Sequence, residues 1–149
     1  MNIQPSYSIR KAQLSDSMYF YNAVCSSTIL EKEVNDFDEH FKKMLKSKHH
    51  LFFVLETAQK IYAGCAILEI RKNILSLEPF IEIDTFYIDP KYRKWKGADF
   101  FYSEIEEQVR QGKVFKLKVS CNLNSTLNQN FYTKRGYKIF KKQYQKLLL

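Results

Sequence analysis

The sequence predicts an α+β domain in which a mixed, mostly antiparallel sheet is flanked by helices. Three observations carry this reading. Short runs of alternating apolar and polar residues recur along the chain, with helix-period segments between some of them. Consecutive runs such as Leu51–Glu56 and Ile61–Arg71 are separated by only a turn, which favours a hairpin. Phe80–Ile88 and Val114–Ser120 are instead separated by a whole helical segment, which calls for a right-handed crossover between parallel strands.

Taken in order, Tyr7–Ala12 reads as a short strand. Ser15 is a candidate N-cap for a helix reaching about Leu30, with Asp16 in its first turn. Asn35–Lys46 reads as a second helix with Phe37, Phe41, Met44 and Leu45 on one side. Strands over Leu51–Glu56 and Ile61–Arg71 flank a turn at Ala58-Gln59-Lys60. In Phe80–Ile88, Ile81, Ile83, Thr85 and Tyr87 alternate against Glu82, Asp84, Phe86 and Ile88, and Asp89-Pro90 stops the strand. The helix from Gly97 to Gln111 carries Phe100, Phe101, Ile105 and Val109, and Gly112 is its natural stop. A strand over Val114–Ser120, a short helix over Ser125–Lys134 closed by Gly136, and two last strands, Tyr137–Phe140 and Tyr144–Leu148, complete the order.

At 149 residues the chain is expected to be one domain, 1–149, and its 12 Phe and 10 Tyr argue against disorder. No apolar run approaches the roughly 20 residues of a membrane span, and the N-terminus lacks the apolar core of a signal peptide. A cytoplasmic protein without membrane partners is the expectation. Cys25, Cys65 and Cys121 are far apart, and no cysteine or acidic residue stands at zinc spacing from His40, His49 or His50. Reduced thiols and no metal are therefore expected. The net charge of +8 points to an anionic partner without choosing between a nucleotide-like cofactor, an acidic substrate and a nucleic acid.

The segment Phe80–Gln108 narrows that choice. A strand runs into a basic loop, Lys91–Lys96, and Gly97-Ala98 then open a helix. A helix N-terminus has N–H groups without internal partners and a dipole that favours anions, so this is a place to hold phosphate.

The order of elements and three motifs resemble the GNAT superfamily of N-acetyltransferases over nearly the whole chain. Tyr87-Ile88-Asp89-Pro90-Lys91-Tyr92-Arg93-Lys94-Trp95-Lys96-Gly97-Ala98 resembles the family's strand end followed by its Q/R-x-x-G-x-G/A acyl-CoA loop. Asn130-Phe131-Tyr132-Thr133-Lys134-Arg135-Gly136-Tyr137 is similar to its F/L-Y-x-x-x-G-F segment, and Ile61-Tyr62-Ala63-Gly64-Cys65-Ala66 to the strand before the loop. Two departures stand out: Lys96 occupies the usual glycine position, and Asp99 lies in the first helical turn.

The resemblance implies a GNAT-like acyl-CoA N-acyltransferase fold and transfer of an acetyl group from acetyl-CoA to an amine. The acceptor is a small molecule or a peptide or protein amine. Glu82 is the first choice of general base. Asp84 stands two residues on, where two acids on one face raise one pKa. Tyr132 is implied as the acid that protonates the leaving thiolate. Phe86, Tyr87 and Ile88 are implied to pair with pantetheine through backbone groups, and Arg93, Lys94, Trp95, Lys96, Gly97 and Ala98 to cradle pyrophosphate, with Asn124 as a further cofactor contact. A homodimer stays open. Two rival readings stand beside this one. One is a GNAT-fold sensor with weak or no catalysis, suggested by Lys96 and Asp99. The other, lesser, is a nucleic-acid module in which Lys91–Lys96 interleave cations with aromatics.

Overall fold

The computed structural model describes residues 4–27, 34–75, 77–121 and 126–148. They group into two compact units, Met1–Val119 and Ser120–Leu149.

The first unit is a five-stranded sheet with helices on both faces. Strand β1 (Tyr7–Lys11) leads through a 3-10 turn (Leu14–Asp16) into helices α1 (Ser17–Ser27) and α2 (Val34–Leu45). Strands β2 (His50–Thr57), β3 (Tyr62–Lys72) and β4 (Pro79–Ile88) follow. A 3-10 turn (Pro90–Trp95), helix α3 (Gly97–Gln111) and β5 (Leu117–Val119) close the unit. The strands lie in chain order; β1 to β4 are antiparallel neighbours, and β4 and β5 are parallel, as the helix between them requires.

Alternation along β3 assigns the two faces. Cys65 and its partner Tyr87 pack with Phe20, Phe41, Phe52 and Val54 under α1 and α2. The next pair, Ala66 and Phe86, points the other way, where Phe86 meets Phe101 and Tyr102 of α3 with ring centroids 5.4 and 5.1 Å apart.

Two sequence expectations change in this unit. Ser15 is not the helix cap. Gln13 holds that place, and the carboxylate of Asp16 reaches back to accept its N–H at 2.7 Å. The end of the helix expected to reach Leu30 lies outside the described residues. Uninterrupted alternation in β4 fails at Asp84: Ile67 pairs with Thr85 and Leu68 with Ile83, so Asp84 is an extra residue in the ladder. This bulge switches parity, so Ile81 and Ile83 before it share the α3 face with Phe86 and Ile88 after it. Helix α3 stops at Gly112 as expected; φ there is −75°, and the left-handed residue is Lys113 (φ 59°).

In the second unit α4 (Thr126–Lys134) ends as foreseen at Gly136, whose φ of +87° favours glycine. Gly136 donates to the Thr133 carbonyl at 3.1 Å and Tyr137 to that of Tyr132 at 3.0 Å, which satisfies the last carbonyls of the helix. The two final strands are absent among the described residues: Tyr137–Leu148 is irregular, and Ile139, Leu147 and Leu148 stay exposed. Alternation suggests a strand, but a strand also needs a neighbouring edge and a face to bury. Among the described residues, no helix is long and apolar enough to cross a membrane.

Candidate active site

Strand β4 is paired differently along its two edges. On one edge β3 accompanies it from Pro79 to Ile88. On the other, β5 pairs only with Ile81, Glu82 and Ile83. From Asp84 to Ile88 no described strand covers that edge, and the bulge marks where the cover ends. An edge that no neighbouring strand covers can pair with an extended ligand as with an added strand.

Gly64 supports this end of β4. A Cβ at Gly64 would stand 2.5 Å from the Tyr87 carbonyl oxygen, so only glycine lets β3 approach so closely.

The strand runs directly into the basic loop. Asp89 caps the 3-10 turn by accepting the Lys91 N–H at 3.0 Å, and the Nε of Arg93 donates to the Ile88 carbonyl at 3.0 Å. Tyr92 is buried, edge-on to Tyr7 with centroids 6.2 Å apart. The Trp95 carbonyl accepts from Gln4 Nε2 at 3.1 Å and from the Tyr7 hydroxyl at 3.4 Å. The two aromatics of the loop therefore serve differently: Tyr92 is an anchor, and Trp95 is half-buried. That leaves the loop without the pair of open rings a base-stacking surface would present.

Lys96 adopts a left-handed conformation, φ 57° and ψ 21°, and its side chain does not cap α3. The conformation is the one that favours glycine, the residue the loop pattern carries there. Lys94 and Lys96 are exposed, Gly97 is buried and Ala98 half-buried. The start of a fifteen-residue helix whose N-cap side chain makes no cap bond, set among cations, suits an anion.

The acidic residues lie at the other end of β4. Glu82 is half-buried and ion-paired with Arg71 at 2.9 Å, while Arg71 also holds Glu69 at 2.8 Å. Lys118 of β5, the register partner of Glu82, places its ammonium 3.8 Å from the Phe80 ring centroid. Asp84 is exposed by area, yet enough protein surrounds its carboxyl that burial raises its pKa, followed by repulsion from Glu69; Arg71 opposes the rise and Glu82 adds to it. Glu69 moves the opposite way, lowered chiefly by its hydrogen bond from Arg71.

Glu69 and Arg71 were not among the sequence-derived candidates. Their two-residue spacing in β3 was visible, but only the hairpin register brings them beside Glu82. Phe86, Tyr87 and Ile88 follow the bulge, Phe86 towards α3 and Tyr87 towards α1 and α2. Asn124 lies outside the described residues. Tyr132 belongs to the second unit, where its ring meets Phe131 and Tyr137 at 5.4 and 5.6 Å. Burial, then Cys121 and Tyr137, push its hydroxyl pKa up to about 12. Among the described residues, no group of three or more His, Cys, Asp or Glu side chains could hold a metal ion.

A protein-family model described as an acetyltransferase (GNAT) domain matches residues 16–147. The chain belongs to the GNAT acetyltransferase family. Solved GNAT structures share its fold at low identity. Glucosamine-6-phosphate N-acetyltransferase from Arabidopsis thaliana is 20% identical with a TM-score of 0.77, covering 95% of this chain and 98% of that one. Aminoglycoside 6'-N-acetyltransferase AAC(6')-Ih from Acinetobacter baumannii is 13% identical with a TM-score of 0.77, covering 97% and 99%. Aminoglycoside N-acetyltransferase AAC(6')-Iy, solved in complex with CoA, is 12% identical with a TM-score of 0.81, covering 98% of each chain. No curated protein sequence matches the chain significantly. In this GNAT chain Lys96, at the position where the loop pattern has glycine, is left-handed.

Proposed function

We propose that this GNAT protein transfers an acetyl group from acetyl-CoA to a primary amine of a small molecule. The observation that carries the reading is the β4 edge from Asp84 to Ile88, which β5 does not cover and which leads into the cation-flanked start of α3. The residues present fit a long ligand with an anionic end. Backbone groups of Phe86, Tyr87 and Ile88 would pair with its amide-bearing arm. Arg93, Lys94, Trp95, Lys96, Gly97 and Ala98 would surround its pyrophosphate, mainly through N–H groups. The bound cosubstrate supplies an activated acetyl thioester. The chain's own work is to orient it, to take a proton from the acceptor ammonium at a β4 acid, Glu82 or Asp84, and to give one to the departing thiolate. Tyr132 is our acid on its match to the F/L-Y-x-x-x-G-F segment; its hydroxyl is protonated at neutral pH. The GNAT enzymes named above act on glucosamine-6-phosphate and aminoglycosides, which favours a small amine over a protein lysine. Cys25, Cys65 and Cys121 as reduced thiols fit a reducing compartment, and we place the protein in the cytoplasm.

Calorimetric titration with acetyl-CoA and with free CoA tests the reading. Binding of both in the micromolar range is expected, weakening as salt rises. No heat and no thermal shift at millimolar cofactor would sink it. With binding in hand, an amine panel should reveal acetylation that Tyr132→Phe slows by about 10- to 100-fold.

A further inference from the structure

We infer that Arg71 divides the labour of the two β4 acids, fixing Glu82 as an ion-paired carboxylate and leaving Asp84, at the bulge, as the group that takes the acceptor's proton. The inference rests on the acetyltransfer reading above and deepens it.

The two acids differ in three ways. Glu82 lies in the stretch of β4 that β5 still covers, opposite Lys118 in register. Asp84 is the extra residue of the bulge, the first beyond that cover. Glu82 is held by Arg71 at 2.9 Å, and the same guanidinium holds Glu69 at 2.8 Å. A carboxylate gripped by a close guanidinium is fixed in place and already engaged, so it is less available to an incoming amine.

Asp84 stands at the start of the edge that β5 does not cover. The charged groups that act on it are His50 of β2, Glu69 and Arg71 of β3 and Glu82 of β4, with Lys118 of β5 beside Glu82. Partial burial and the neighbouring Glu69 carboxylate favour its neutral form, in keeping with a base that must accept a proton.

The step then balances. The amine nitrogen bonds to the acetyl carbon as the carbon–sulfur bond breaks. Of the two protons the acceptor ammonium gives up, one passes to Asp84 and on to solvent, and the other ends on the thiolate. Arg71 touches no reacting atom, so its role is positioning. It holds Glu82 and Glu69 in place and limits how far they raise Asp84.

Carboxyl-carbon NMR titration of the full chain tests this without an acceptor. In the wild type Asp84 should titrate above an ordinary aspartate. In Arg71→Gln its midpoint should rise further. An Asp84 midpoint at or below that of an ordinary aspartate, or one unmoved by Arg71→Gln, overturns the inference. A kinetic arm uses n-butylamine and acetyl-CoA. Asp84→Asn should lower kcat/KM at pH 7 about 100-fold or more, and Glu82→Gln far less. Arg71→Gln should move the acid limb of the kcat/KM profile upward with the Asp84 midpoint. Equal activity of Asp84→Asn and wild type also overturns the inference. The two readings fail separately, because absent acetyl-CoA binding refutes acetyltransfer while the titration still decides how Arg71 acts on Asp84.

Discussion

Two arginines on the sheet of the first unit, Arg10 and Arg71, each bridge two carboxylates, and their surroundings give them opposite tasks. Arg10 of β1 grips Asp16 with two bonds of 2.8 and 2.9 Å and reaches Glu56 at 3.1 Å. Asp16 is 1% exposed and also accepts from the Tyr62 hydroxyl at 2.6 Å and the Gln13 N–H. Every element of that corner is tied through one carboxylate. Arg71 of β3 bridges Glu69 and Glu82 at similar distances but is itself 45% exposed, and Asp84 nearby has no such set of donors. The same pair chemistry, buried and saturated, fixes a fold; half-open, it leaves a carboxyl whose proton can move.

The largest test falls on the buried corner. Asp16→Ala strands the Arg10 guanidinium and the Tyr62 hydroxyl, and should cost about 3–5 kcal/mol in denaturant unfolding. The pH dependence has a definite sign. Burial alone would raise the Asp16 pKa, but the bonds from Arg10, Gln13 and Tyr62 outweigh it and hold it at about 2. A depressed folded pKa stabilises above the unfolded value near 3.8, and this contribution is lost as pH falls towards 2. Asp16→Asn should therefore flatten the acid limb of stability. An unchanged acid limb would break the contrast between the corners.

Much of this layout was legible in the sequence because periodicity and turn residues reflect local physics. The α3 helix begins at Gly97 and ends at Gln111 as expected, and the glycine after α4 has the positive φ its place demands. The basic loop was legible for the same reason: Asp89-Pro90 stops a strand, and Gly97 permits a tight start to a helix. What escaped depends on partners distant in sequence. The bulge at Asp84 exists only against β3, so strict alternation misassigned the residues after it. Arg71 looked like an ordinary strand-end cation until the hairpin register set it beside Glu82. Asp16 was expected in a helical first turn, yet it ties β1, β3 and that turn together, since a carboxylate surrounded by donors need not serve the helix alone. At the C-terminus, Tyr137–Leu148 is irregular despite its alternation, because alternation alone does not make a strand.

A smaller effect is expected where the open region stores backbone strain. Lys96 at φ 57° pays for a Cβ that glycine lacks. Lys96→Gly should raise stability by about 0.5–1 kcal/mol, the strain relief being partly offset by glycine's freer unfolded chain. If the side chain also meets a phosphate, acetyl-CoA should bind more weakly and with a shallower salt dependence. Titration of both proteins at low and high salt separates the effects. A loss of stability in Lys96→Gly would mean that the lysine side chain itself holds the loop.

The smallest stability effect belongs to Arg71, and it completes the contrast with Arg10. Partly exposed ion pairs contribute roughly 0–1 kcal/mol, because water screens them and ordering the side chains costs entropy. Arg71→Gln should thus change the unfolding midpoint little, while Arg10→Gln, which leaves the buried Asp16 and Glu56 short of a partner, should change it several-fold more. Parallel denaturant titrations of the two variants give the comparison directly. Equal and large losses would mean that the β3–β4 cluster holds the fold as the Arg10 corner does. A small loss for Arg71→Gln leaves its effect to be read in proton affinity, where an arginine with little structural work can still decide which of two neighbouring acids changes charge.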